Sequence, residues 1–113
     1  MQGVLSGEVK EAVEEFLKEL SKRFRVSCVY VFGSRVRGDW IKTSDIDLVV
    51  ISRDFEGMSL TRRLDVVNEI VWRRRIRPYI EVIPLTPEEF EERKRLSAVL
   101  RDASKYWVKV DFS

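Results

Sequence analysis

The sequence predicts an α+β fold, a small mixed β-sheet of three to four strands flanked by helices. Three observations point there. Residues 26–32 and 45–51 are short runs rich in β-branched and aromatic residues, the composition of buried strands. Two longer segments place apolar residues at helical spacing, one before these runs and one after. The resulting order, α-β-β-α-β-α with a short strand at the end, implies a single mixed sheet packed on one side by helices.

The first element is a helix over about residues 7 to 24, because Val9, Ala12, Val13, Phe16, Leu17, Leu20 and Phe24 share one helical face. The strand over 26–32 follows, and Gly33-Ser34 stops it. Residues 35–42 read as a short helical turn and loop, with Gly38 as breaker. The second strand, 45–51, carries acids only at its start. Leu60, Leu64, Val67, Ile70 and Val71 mark a second long helix, which Pro78 is expected to end. Residues 79–83 form a third strand. Thr86-Pro87-Glu88-Glu89 combines an N-cap, a proline at the first helical position and a capping-box glutamate, opening a helix expected to reach about Ser104. Residues 107–112 are a last short strand. No repeat or linker divides the 113 residues, so one domain over 1–113 is expected.

Composition narrows the chemistry. The chain is 44% hydrophobic and 35% charged, which is globular, and its formal charge of +2 does not by itself indicate a nucleic-acid binder. No apolar run is long enough to span a bilayer, residues 1–25 lack the apolar centre of a secretion signal, and Cys28 has no partner for a disulfide. A cytoplasmic protein without membrane contact is the expectation. The absence of histidine excludes Ser-His-Asp and Cys-His catalysis and most zinc chemistry, so catalysis would rest on carboxylates and a hard cation.

Asp45-Ile46-Asp47 supplies such carboxylates. Side chains alternate faces along a strand, so Asp45 and Asp47 project together while Ile46 enters the core. Acids this close repel unless a cation neutralises them, and magnesium prefers such oxygen ligands. The bland alternative is that Asp45 caps a turn with Ser44 while Asp47 faces water. Gly33-Ser34, ending the preceding strand ahead of a helical turn, can present backbone N–H groups and a hydroxyl to phosphate oxygens, with Arg35 and Arg37 near in sequence. An ordinary turn with two solvated arginines would look the same.

The ordered set is more specific than its parts. Gly33-Ser34, Arg35 and Gly38, then Ser44-Asp45-Ile46-Asp47-Leu48, resemble the signature of the DNA polymerase beta nucleotidyltransferase superfamily. Ile80-Glu81-Val82 stands where that superfamily usually carries a third carboxylate, with glutamate in place of the more usual aspartate. Over roughly residues 8 to 113 the chain is similar to the minimal nucleotidyltransferase (MNT) proteins. The resemblance implies a DNA polymerase beta-like nucleotidyltransferase fold, in which Gly33, Ser34, Arg35 and Ser44 hold a nucleoside triphosphate. It makes Asp45, Asp47 and Glu81 the metal-binding and catalytic carboxylates for Mg2+ or Mn2+, with ATP as substrate. Glu81 is one methylene longer than aspartate and either ligates a shifted ion or pairs with an arginine. The superfamily's larger members add domains that grip base and acceptor, so a partner is expected to supply those surfaces. For MNT proteins that partner is often a HEPN-domain toxin, which some of them inactivate by transferring AMP to a tyrosine. A non-catalytic antitoxin that acts by covering its partner is the competing reading.

Arg62-Arg63 and Arg73-Arg74-Arg75 with Arg77 form the most basic segment, with Trp72 among them. Phosphate contacts and stacking are one use for it. A solvated helix face whose arginines pair with nearby acids is the other, and on this reading nucleic acid is not an expected partner. Trp40, Trp72 and Trp107 read as core or interface anchors, and homo- or hetero-oligomers are left open.

Overall fold

A computed structural model describes residues 7–32, 46–96 and 108–110. Helix α1 spans Gly7–Leu20 and buries the expected stripe of Val9, Ala12, Val13, Phe16, Leu17 and Leu20. Glu8 in its first turn and Lys18 in its last complement the helix dipole. The helix stops four residues sooner than its periodicity predicts. Ser21 still bonds back to Leu17, while Arg23 and Phe24 both bond to Leu20, a tightening last turn. Phe24 stays in the core nonetheless, its ring centroid 5.0 Å from that of Phe55.

Strand β1, Cys28–Phe32, pairs antiparallel with β2, Ile46–Ile51. A buried Ser52 then caps a 3-10 turn at Arg53–Phe55: its hydroxyl donates to the Arg25 carbonyl at 2.6 Å and accepts from Asp54 N–H. Asp54 in turn accepts from Arg25 N–H at 2.7 Å, clipping the entry to β1 against the exit of β2.

Helix α2, Leu60–Arg73, starts on Ser59, whose hydroxyl accepts from Arg62 N–H. Its stop is Arg75 rather than Pro78. Arg75 takes a left-handed φ of 52°, its N–H bonds to the Trp72 carbonyl, and Ile76 N–H bonds to that of Val71. This is the Schellman arrangement, with arginine where glycine is usual, and the buried Ile76 supplies its apolar contact.

Strand β3, Ile80–Leu85, lies parallel to β2, so β2, α2 and β3 form a βαβ unit. It runs two residues past the expected end. Pro84 is tolerated because β3 is an edge strand in the order β3-β2-β1-β4, where one side needs no donors. Helix α3 covers Pro87–Leu96, and β4, Val108–Lys109, pairs antiparallel with β1 on the other edge. The expected continuation of α3 to Ser104, the turn at 35–42, and Trp40 and Trp107 lie outside the described residues.

The sheet is covered on both faces rather than one. Val29, Val31, Ile46, Leu48, Val50, Ile80 and Val82 meet α1 and α2 in the main core. Val49, Ile51 and Leu85, with Cys28, Tyr30 and Ile83 at the margin, face the other way, where α3 delivers Phe90. The Phe90 ring stacks on Tyr30 with centroids 5.7 Å apart. Phe90 is the one buried residue of α3, which is why its sequence showed little helical periodicity. No helix among the described residues is long and apolar enough to cross a membrane.

Candidate active site

The site grows from the period of two along β2 and β3. Ile46 and Leu48 are buried towards α1 and α2, so Asp47 between them projects from the opposite face. Ile80 and Val82 do the same for Glu81 on β3. In the parallel register Asp47 pairs directly with Glu81, and a 2.8 Å bond from Ile46 N–H to the Tyr79 carbonyl closes that end of the ladder. Neighbouring strands lie ~4.8 Å apart, so two carboxylates separated by 34 positions in sequence become side-by-side neighbours. Asp47 is half-buried and Glu81 exposed. On its other side Asp47 registers with Phe32, the last residue of β1.

Two acids directly opposite each other destabilise a sheet by roughly 0.2–1 kcal/mol. A cation held between them reverses that sign. The donor set consists of carboxylate oxygens on a solvent-accessible sheet end, which suits a hard divalent ion such as Mg2+. Among the described residues Glu81 has no lysine or arginine within ion-pair distance; Arg35 and Arg37 lie outside them. Among the described residues these are two acids, not a cluster of three. Asp45, Gly33, Ser34, Arg35 and Ser44 lie outside the described residues, so the structure places two of the expected site residues and brings those two together.

The register that creates the pair is fixed further along β3. Arg63 of α2 is only 5% exposed. Its guanidinium donates to the carbonyls of Met58 at 3.0 Å and Pro84 at 3.3 Å, and to both carboxylate oxygens of Glu89 at 2.5 and 3.2 Å. Glu89 also accepts from Thr86 N–H at 2.9 Å while its own N–H donates to the Thr86 hydroxyl, the capping box expected at the start of α3. One arginine therefore ties α2, β3 and α3 together. The Arg63 guanidinium holds the Glu89 carboxyl below its usual value, against the opposing effect of burial. Sequence reading took Glu89 for a capping residue and Arg63 for part of a basic face. The long-range pair had no local signal.

Comparison with known proteins identifies the family. Residues 13–107 match the nucleotidyltransferase domain family. A crystal structure of a "putative nucleotidyltransferase" from Sulfolobus solfataricus is 30% identical, with a TM-score of 0.59 over 75% of each chain. A second structure of that description is 26% identical, with a TM-score of 0.55 over 94% of this chain and all of the other. A Methanocaldococcus jannaschii protein named "Putative protein adenylyltransferase" is 33% identical over 61 residues, 54% of this chain and 60% of its own length. The matched stretches span 50 to 60% of the length of three such relatives from that organism. With its mixed sheet, its β2–β3 acid pair and a family match over most of its length, the chain belongs to the nucleotidyltransferase domain family.

Proposed function

We infer that the protein transfers a nucleoside monophosphate, AMP from ATP, to a hydroxyl on a partner protein, as the antitoxin of a HEPN-domain toxin. The observation that carries the transfer chemistry is the pairing of Asp47 with Glu81 across β2 and β3. The relatives named for protein adenylylation support a protein hydroxyl as acceptor. The HEPN partner rests on the resemblance of the motif alone.

In this reading Asp45, Asp47 and Glu81 hold the metal, and Gly33-Ser34 with Arg35 and Ser44 receive the triphosphate. Bound Mg2+ or Mn2+ would neutralise the phosphates and lower the pKa of the attacking hydroxyl. The acceptor oxygen forms a new bond to the α-phosphorus, the bond to the β-phosphate oxygen breaks, pyrophosphate departs and the hydroxyl proton passes to solvent. What the chain contributes is position: strand pairing holds Asp47 and Glu81 side by side, so the carboxylates are preorganised for the charge shift. Removing a carboxylate should cost several kcal/mol of barrier, on the order of thousands-fold in rate.

The test is transfer of label from α-labelled ATP into proteins of a source-cell extract, with magnesium or manganese. The parent runs beside Asp45→Asn/Asp47→Asn. A labelled protein band seen only with the parent supports the reading. No band from either, with partner capture intact in both, sinks it and leaves the competing role, an antitoxin that acts by complex formation alone.

A further inference from the structure

We propose that the groove at the C-terminal end of α2 binds single-stranded nucleic acid, with a base stacked on Trp72 and phosphates on Arg73, Arg75 and Arg77. The groove has a volume of about 530 Å³ and is lined by those four residues. That is within the ~300–1,000 Å³ range of small-ligand sites and has room for a nucleotide unit.

Its lining separates this from the solvated helix face that the sequence favours. Arg73 shares a carboxylate with Glu69 at 3.5 Å, and Arg74, outside the groove, is drawn to Glu15 and Glu19. Among the described residues neither Arg75 nor Arg77 has a carboxylate partner, and Arg77 donates to the Ile76 carbonyl at 2.9 Å, a neutral acceptor. Arg75 is also the non-glycine residue held at a φ of 52° by the Schellman turn. A left-handed arginine costs about 1–2 kcal/mol, and glycine would fill that position without the cost. The arginine's guanidinium is what glycine could not supply. A sequence signal for the unpaired member existed: no acid stands three or four residues either side of Arg75.

Trp72 is 79% exposed. Tryptophan and arginine are both enriched at protein interfaces, so the discriminating feature is how little apolar surface accompanies the indole. Here the residues that share the groove with it are three arginines. Leu60, also exposed, is at the opposite end of α2, roughly 18 Å along the helix, and Leu96 ends α3 on the other face of the sheet. One flat aromatic surface among cations is the makeup of a strand-binding site, where stacking tolerates any base and arginines follow the backbone.

The experiment is fluorescence anisotropy with a 3′-fluorescein oligouridylate of about twelve nucleotides, the scale of one single-strand site. Expected are binding at about 50 mM salt and a log–log salt slope near about −2, three phosphate contacts at about −0.7 each. Trp72→Ala should weaken binding about ten-fold or more, Trp72→Phe should retain most of it, and Arg75→Gly/Arg77→Gln should weaken it and flatten the slope. Asp47→Asn should bind as the parent does, which separates this groove from the nucleotidyl-transfer site. Circular dichroism confirms that each variant is folded. No binding by the parent, or affinity within two-fold of the parent in Trp72→Ala or in Arg75→Gly/Arg77→Gln, overturns the proposal. So does loss of protein-partner capture by Trp72→Ala with oligonucleotide affinity unchanged, which would make the groove a protein interface.

Discussion

Glu88 and Glu89 are adjacent acids in the first turn of α3, indistinguishable by the helix-dipole argument, and the structure makes their removal very different. Glu88 reaches Arg53 at 3.6 Å with both side chains about two-thirds exposed or more, at 67% and 72%. Such a pair contributes less than about 0.5 kcal/mol. Glu89→Ala strands the guanidinium of Arg63, of which only 5% is exposed, with two carbonyls and no counter-charge. Breaking a fully buried pair costs about 3–5 kcal/mol, but the Glu89 side chain is 41% exposed and water would partly replace it. Discounting for that access and adding back the lost Thr86 contact gives about 2–3 kcal/mol. For a chain of this size that lowers Tm by about 8–12 °C, against about 2 °C or less for Glu88→Ala. Thermal unfolding followed by circular dichroism at neutral pH measures both. The pH dependence has a definite sign. Because the native Glu89 carboxyl is held below its ordinary 4.5, its stabilisation is complete above that value and disappears as the pH falls through the lowered native one. The gap between parent and Glu89→Ala should therefore narrow below pH 4.5. Equal Tm losses in the two alanine variants, or a gap that widens in acid, would refute the reasoning.

Asp47→Asn/Glu81→Gln removes both negative charges from the adjacent strands while nearly keeping side-chain shape, and is scanned by thermal unfolding beside the parent. The thermal shift that manganese produces in the parent should be absent from that variant, measured in the same scans. Arg75→Gly relieves a left-handed arginine and should stabilise by about 1 kcal/mol, read as a raised urea midpoint at unchanged slope. Leu48→Ala empties a fully buried position between the two acid-bearing edges of the core and should cost about 2–5 kcal/mol in the same assay.

Legibility in the sequence followed the range of the interaction. Val9 through Leu20 announced α1 because a helical stripe is local, and all six residues of the stripe are buried. Thr86 announced the start of α3 through a residue three positions away, whereas the Ser59 cap of α2 was not read. The end of α2 was misplaced because Pro78 is a visible stop, whereas the left-handed Arg75 that terminates the helix carries no glycine to mark it. The third strand was ended at residue 83, two short, because nothing local shows that β3 is an edge strand, where Pro84 is tolerated. The second face of the sheet was missed because α3 contributes a single buried residue, Phe90, too little to make a stripe. At the site, the alternation around Asp47 and Glu81 was readable within each strand, but their pairing depends on register across 34 positions, which no local pattern encodes.

That register is nevertheless determined, and the magnitudes show by what. Sliding β3 by one residue would set Ile80 or Val82 beside Asp47 and turn Glu81 towards Val67 and Ile70 on the α2 side. Burying an unpaired carboxylate there costs several kcal/mol, and exposing two aliphatic side chains adds about 1.5–3 kcal/mol each. Repulsion between Asp47 and Glu81 is at most about 1 kcal/mol. The core wins by a wide margin, so the acids are pressed together by the apolar residues on either side of each, with no favourable contact of their own required. At the far end of the strand Arg63 holds the Pro84 carbonyl and Glu89 at once, so β3 is pinned at both ends of the same register. A carboxylate pair made this way has its repulsion already offset by folding, and a cation that relieves it gains that energy as affinity. Changes to the apolar residues on either side of Glu81 should thus alter metal affinity as well as stability, although none of them touches the ion.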